Sequence, residues 1–149
     1  MPAIAISKFE RFFREAAGLD VDKDDVKRYS DFVYQKLYDL LLMAQATAKA
    51  NLRDIFAPWD LPITKGLQES THQFRRLDQD VELQPILHEL AARPPLDLQL
   101  GEETEQRLPE LIGGMSLALA HTFKIIDPDV VNPRTEHWER AFQIFNRLL

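Results

Sequence analysis

The most constraining feature of the sequence is one very long helical pattern. From residue 24 to residue 55 there is no glycine and no proline, and apolar residues recur every three or four positions, which is typical of one buried helix face. A helix of that length spans about 48 Å. A compact globule of 149 residues is only roughly 38 Å across. We therefore expect this helix to run through the middle of the protein and to require a second long helix across it.

The second long helix is predicted at residues 102–126, where the same spacing returns over about 37 Å. Four short helices flank the two long ones, and short extended links separate them. The short helices are predicted at 7–17, at 64–77, from Pro85 and from Thr135, and the links at 19–21, 61–63, 96–98 and 130–131. The sequence thus predicts an all-α protein forming one compact domain, 1–149. Its two helix–long helix–helix halves, 1–77 and 85–149, are joined by a polar connector at 78–84.

Composition excludes several functional classes. The chain has no cysteine, which excludes disulfides, zinc–thiolate sites and thiol catalysis. No run approaches the roughly 18 apolar residues of a membrane helix, and charges follow the N-terminus too closely for a secretory signal. We therefore expect a cytoplasmic protein without a membrane partner. The net charge is −6, with +1 in residues 1–77 and −7 in residues 78–149, which disfavours nucleic acid as a partner.

The order of elements resembles the histone fold, in which two three-helix units pair head to tail and their long helices cross. The first half is most similar to an archaeal histone, over 6–18 (ISKFERFFREAAG), the long helix, and 61–65 (LPITK). The whole chain resembles a small bacterial family of uncharacterised proteins that fuse two histone folds. This resemblance implies a tandem histone fold, an intrachain pseudodimer with crossing central helices.

The resemblance also implies contacts between the extended links. Link 19–21 should lie parallel to 130–131, and link 96–98 should lie parallel to 61–63, through backbone hydrogen bonds. Pro109 falls inside the second long helix, so it either kinks that helix or separates its first turns as a short piece.

A pair of glycines marks the expected helix crossing. Gly113 and Gly114 lie in the middle of the second long helix, where each costs about 0.5–1 kcal/mol relative to alanine. We predict that they let the two long helices approach closely, near Leu40, Leu41 and Ala44. The alternative is a local bend.

DNA binding is the function that a histone resemblance suggests. The candidate cations all lie in the first half: Lys8, Arg11, Arg14, Lys65, Arg75 and Arg76. The chain departs from the histone pattern at the links, where Asp60-Leu61-Pro62 stands in place of the Arg and Thr that contact the minor groove. The second half offers no matching basic edge. The alternative interpretation of the Lys8, Arg11 and Arg14 stripe is an ordinary solvated helix face.

The C-terminal helix offers a different candidate surface. Histone folds associate further through the end of the long helix and the last helix, and here Trp138, Leu148 and Leu149 add apolar area to that region. Exposed aromatic and aliphatic side chains would mark a homo-oligomer or protein-partner surface. The alternative is that these residues all pack internally.

Catalysis has little support in the sequence. The four histidines, His72, His88, His121 and His137, are scattered singly, and there is no Walker loop, dinucleotide fingerprint or nucleophile elbow. We expect a non-enzymatic protein without metal or cofactor. The leading hypothesis is a structural or scaffolding module that self-associates or docks a partner. The alternative is a nucleoid-associated DNA-binding protein that uses the basic edge of the first half.

Overall fold

The structure, a computed structural model, describes residues 3–90, 96 and 98–149. This part of the chain is mainly helical, so the all-α prediction is confirmed. The helices are α1 (Ala3–Ala17), α2 (Lys23–Ala50), α3 (Lys65–Val81), α4 (Gln84–Leu90), α5 (Glu102–Ile126) and α6 (Thr135–Leu148), and two short strands are β1 (Ile55–Phe56) and β2 (Gln99–Leu100). The order short helix, long helix, short helix occurs twice.

The long helix α5 has the predicted bounds, whereas α2 ends five residues earlier than predicted. Leu52 adopts a left-handed backbone conformation with φ of 58°, which ends the helix without a glycine or a proline. The chain then turns and forms β1. Sequence periodicity did not reveal this ending, because the apolar spacing continues through it.

Side-chain caps explain where the helices of the first half begin. The Asp22 carboxylate accepts a hydrogen bond from the Asp25 backbone N–H at 2.8 Å, and the Asp25 carboxylate accepts one from the Asp22 N–H at 3.0 Å. This reciprocal pair caps α2. The Thr64 hydroxyl accepts from the Leu67 N–H at 3.1 Å and caps α3, as the sequence predicted.

The prediction of a polar connector at 78–84 is wrong in its length. The connection is shorter, because α3 continues to Val81 and α4 begins at Gln84. Glu82 makes the turn between them in a left-handed conformation with φ of 56°. The Asp78 carboxylate accepts a hydrogen bond from the Leu83 N–H at 2.6 Å. That bond holds the two helices together at the turn.

One predicted pair of links is in contact and the other has a different register. The Asp20 N–H donates to the Val131 carbonyl at 2.7 Å, so the links at 19–21 and 130–131 lie together. The pairing of 61–63 with 96–98 is wrong: β1 instead pairs in parallel with β2. Residue 97 lies outside the described residues. The early end of α2 explains the shift, because it brings residues 55–56 to the pairing position.

The glycine pair in α5 faces α3. A Cβ atom added at Gly113 would collide with the Phe74 ring, and one added at Gly114 would come within 2.9 Å of the Thr71 backbone. The close approach that we predicted therefore exists, but the predicted neighbour in α2 is wrong. The residues predicted to lie there are buried members of the hydrophobic core: Leu40, Leu41 and Ala44.

Two further features of α5 position the elements around it. The helix is continuous through Pro109, so the separate first piece is wrong. The Tyr29 hydroxyl of α2 lies 2.6 Å from the Ser116 hydroxyl of α5, fully inside the core, and burial raises the pKa of Tyr29. The Thr104 hydroxyl donates to the Phe56 carbonyl at 3.1 Å. These bonds attach both α2 and β1 to α5.

Candidate functional site

The cations of α1 do not form a free basic edge. Arg11 forms an ion pair with Glu15 at 3.0 Å, and Arg14 forms one with Asp20 at 3.5 Å. The Lys8 ammonium donates a hydrogen bond to the backbone carbonyl of Glu82, just after α3, at 3.1 Å. Each of these contacts holds a cation against an acceptor of this chain. Phosphate groups would have to compete for the same donors.

The three cations predicted on α3 have different surroundings. Lys65 pairs with Glu69 at 3.2 Å, and both side chains are exposed. Arg75 pairs with Glu110 of α5 at 2.7 Å, and this hydrogen bond raises the pKa of the guanidinium. Arg76 and Arg75 both reach a groove between α3 and α5. Of the six predicted DNA-binding cations, Arg75 and Arg76 are therefore the two that line this groove together.

The predicted interaction surface on α6 is mostly wrong. Trp138 is only 1% exposed, because its ring packs 4.7 Å from the Phe123 ring and its indole N–H donates to Asp25 at 2.9 Å. Leu149 packs against the core, whereas Leu148 is 72% exposed. Burial of Trp138 follows from its place on the inner face of α6, which the sequence alone did not distinguish from an outward face.

The groove was not predicted from the sequence. It has a volume of about 670 Å³ and lies between α3, the first half of α5 and a 3-10 turn at Pro58–Asp60. Its apolar lining includes Pro58, Leu61 and Leu111, which are buried in the fold. The close packing of α3 on Gly113 and Gly114 sets the depth of this groove, because Thr71 also lines it. Such a volume lies within the range of roughly 300–1,000 Å³ that is usual for binding sites.

The 3-10 turn beside the groove is held by a buried carboxylate. Arg53 donates two hydrogen bonds to Asp60, both at 2.6 Å, and the Ala57 N–H donates to the same carboxylate at 2.8 Å. The side chain of Asp60 is fully buried. The hydrogen bond from Arg53 lowers the pKa of Asp60. These contacts fix the turn in one conformation.

The fixed turn presents an exposed tryptophan at the edge of the groove. Trp59 is 75% exposed, and the Arg53 guanidinium lies 5.9 Å from its ring centroid. A large aromatic ring on a rigid and exposed turn is well suited to bind a partner, because little conformational entropy is lost on contact. The signal in the sequence was an aromatic residue between two prolines, Pro58 and Pro62, a pattern that by itself indicates only the end of a helix.

The charges that line the groove are mixed. Three guanidinium groups, those of Arg75, Arg76 and Arg107, face two carboxylates, those of Glu69 and Glu110. The Glu110 carboxylate is already bound by Arg75. The groove is therefore a polar cleft with an apolar floor and a small excess of positive charge.

Two of the arginines that line the groove, Arg76 and Arg107, are only weakly paired. Arg76 contacts the imidazole of His72 at 3.3 Å, which is not an anion and does not cancel the charge of the guanidinium. Arg107 pairs with Glu103 at 3.6 Å, and both side chains are more than half exposed. Exposed pairs of that kind are weak and exchange readily with solvent or ligand.

Other kinds of site are not seen in the described ranges. Residues 3–90, 96 and 98–149 hold no group of three or more His, Cys, Asp or Glu side chains placed to bind a metal ion. Within the same part of the chain, none of the helices has the length and apolar character needed to cross a bilayer.

The fold and the groove define a mainly helical protein with a cleft between α3 and α5. The chain belongs to a family described as a domain of unknown function (DUF1931), whose pattern matches residues 9–146. An uncharacterised protein of Aquifex aeolicus is 31% identical over 137 residues, which cover 83% of this chain and 80% of that protein.

Two solved structures share this fold. A crystal structure of a Thermus thermophilus protein superposes with a TM-score of 0.86 at 55% identity and covers 97% of both chains. A 1.9 Å crystal structure of an Aquifex aeolicus protein superposes with a TM-score of 0.84 at 26% identity, covering 97% of this chain and 95% of that one.

Proposed function

We propose that this protein is a non-enzymatic docking module of the cytoplasm, with a tandem histone fold, that binds a partner protein at the groove beside Trp59. The observation that carries the proposal is the exposed Trp59 on a turn held by the buried Asp60. Exposing a tryptophan gains nothing for folding, because its apolar surface stays in water. The exposed indole on this turn is therefore better explained by binding than by stability.

The histone-fold part of the proposal is supported by the order and contacts of the elements. Each half has a short, a long and a short helix, and the links after α1 and after α5 are joined at Asp20 and Val131. The Tyr29–Ser116 hydrogen bond joins the two long helices. These are two of the contacts that head-to-tail pairing of such units implies.

DNA binding is less well supported as the function. Arg11 and Arg14 on α1 each have a carboxylate of this chain beside them, which lowers the net positive charge of the basic stripe. The acidic Asp60 stands in the link where a histone places its minor-groove arginine, and it is buried against Arg53. Weak, non-specific affinity for DNA depends on cations that are free to displace counterions, and this surface has few of them.

A peptide selection tests the docking function. The full chain would be immobilised and used to select binders from a library of short random peptides displayed on phage. Synthetic copies of the enriched peptides would then be titrated against the wild type, Trp59→Ala and a matched control, Leu148→Ala, which removes another exposed apolar side chain far from the groove lining.

We expect Trp59→Ala to weaken the enriched peptides by about tenfold or more, since loss of an aromatic anchor costs about 2 kcal/mol. Leu148→Ala should leave their affinity unchanged. Circular dichroism would check that both variants stay folded. Peptides that bind Trp59→Ala as tightly as the wild type would contradict the proposal.

A further inference from the structure

We infer that the groove takes an acidic segment of the partner, in which a carboxylate side chain lies next to an apolar or aromatic one. This inference rests on the proposed docking function and adds the chemistry of the partner. It follows from the arrangement of guanidinium groups, of the apolar floor and of Trp59 around one cleft.

The guanidinium groups select for carboxylates. Arg76 contacts an imidazole at 3.3 Å and Arg107 an exposed carboxylate at 3.6 Å, so both can accept a new anion without breaking a strong pair. A guanidinium binds a carboxylate through two parallel N–H donors. An acidic side chain that enters between α3 and α5 can therefore exchange water for two charge-assisted hydrogen bonds.

The apolar part of the cleft selects for a neighbouring hydrophobic side chain. Trp59 offers an exposed ring, and Leu61 and Leu111 line the same cleft. A side chain that covers the ring would remove apolar area from water at about 25 cal/mol per Å². The segment that fits best has one side chain for the arginines and another for the indole.

The two carboxylates of the lining argue against a continuous polyanion. Glu69 and Glu110 lie in the same cleft as the three arginines, so the lining carries an excess of only one positive charge. A nucleic acid strand would bring one phosphate per nucleotide past these carboxylates, and the whole chain carries a net charge of −6. Discrete carboxylates with neutral groups between them fit this pattern better than a phosphate backbone does.

The test uses the peptides selected on the full chain. We expect aspartate and glutamate to be enriched next to an aromatic or aliphatic residue. Replacing the acidic residue of one such peptide by its neutral amide should weaken binding to the wild type by about tenfold. Arg76→Gln and Arg107→Gln should each weaken the acidic peptide by several-fold and should leave the amide peptide nearly unaffected.

A matched control is Arg147→Gln, which removes an exposed arginine of α6 outside the groove lining and should leave the affinity of both peptides unchanged. Raising the salt concentration should weaken the acidic peptide more than the amide peptide. This salt effect should be smaller in Arg76→Gln.

The possible failures are distinguishable. If the selected peptides need Trp59 but show no acidic preference and no dependence on Arg76, the acidic partner is wrong and the docking function stands. If no selected peptide depends on Trp59, the docking function itself is wrong. If oligothymidylate binds the groove more tightly than the peptides and does so through Arg76, the occupant is a nucleic acid and the inference is overturned.

Discussion

The two links that follow the long helices differ in what their aspartate side chains hold in place. The link after α2, residues 51–64, contains the pair of Arg53 and the buried Asp60, and it presents Trp59 with 75% of its surface in solvent. The link after α5, residues 127–134, contains Asp127, which pairs with His137 at 3.1 Å at the start of α6. The tryptophan that follows this second link is only 1% exposed.

This difference separates a structural role from a binding role. The second link places the first turn of α6 on the core, where burial of the tryptophan offsets the ordering of the chain. The first link orders its turn around a side chain that stays in water. A stability requirement accounts for the second arrangement and for the bonds of Asp60 in the first, whereas the exposed ring of Trp59 is what our proposed partner would explain.

Trp138→Ala should give the largest loss of stability, about 4 kcal/mol. The substitution removes a buried ring that packs against Phe123 and leaves Asp25 without its indole donor. Urea denaturation measures the change in the free energy of unfolding. A loss below about 1 kcal/mol would show that this ring is not a core residue.

Asp60→Ala should destabilise the protein by about 2 kcal/mol, because it removes the charge-assisted bonds from Arg53 and the bond from the Ala57 N–H. It should also weaken the selected peptides by releasing the turn that carries Trp59. Trp59→Ala serves as the comparison, since it should weaken binding without this loss of stability. An Asp60→Ala protein with unchanged peptide affinity would contradict the role of the turn.

The pH dependence of the same carboxylate has a definite sign. Because the pKa of Asp60 is lowered from the ordinary 3.8 in the folded protein, its stabilising contribution is present above that range and is lost as the pH falls through the folded pKa. Asp60→Asn should therefore flatten the acid side of the stability curve. Thermal melts between neutral pH and about pH 3 measure this slope. An unchanged acid slope would mean that other carboxylates govern it.

His137→Ala should cost about 1 kcal/mol, since the ring caps α6 by accepting a hydrogen bond from the Arg134 N–H at 2.9 Å. It should also raise the pKa of Asp127, which the hydrogen bond from His137 lowers. An NMR titration of the Asp127 carboxyl carbon follows this change directly. His137→Gln, which keeps an acceptor at the capping position, should recover part of the stability.

Trp59→Ala should have the smallest effect on stability, within about 0.5 kcal/mol of the wild type. The Trp59 ring is exposed. Arg53, which lies over this ring, keeps both hydrogen bonds to Asp60 when the ring is removed. The same urea titration that measures Trp138→Ala provides the comparison. A large loss of stability in Trp59→Ala would assign the residue a structural role.

The sequence predicted most of the helices, because their signals are local. The helical pattern located α5, and it placed the starts of α2 and α3 within one residue of those observed. The end of α2 was not predicted, since the left-handed residue of its C-terminal turn, in which the Arg53 N–H donates to the Ala48 carbonyl, is a leucine, Leu52, and not the glycine that usually signals such an end. The glycine pair signalled a close approach, but not which helix would make it.

The groove and the exposure of Trp59 were harder to predict than the fold. Trp138 and Trp59 were distinguished only by their places in the folded chain: one lies on the inner face of α6, and the other lies on a turn between two prolines. The groove itself combines residues from 58 to 111. Its arginines come from helices whose relative placement depends on packing at Gly113 and Gly114, which a one-dimensional pattern does not encode.

The most direct test of the central claim is an NMR titration that follows the two indole N–H signals while a selected peptide is added. Trp59→Phe would assign the two signals. We predict that the Trp59 signal shifts and saturates with the peptide, and that the Trp138 signal, which belongs to the core and donates to Asp25, stays in place. Saturating binding that leaves the Trp59 signal unmoved would contradict the account.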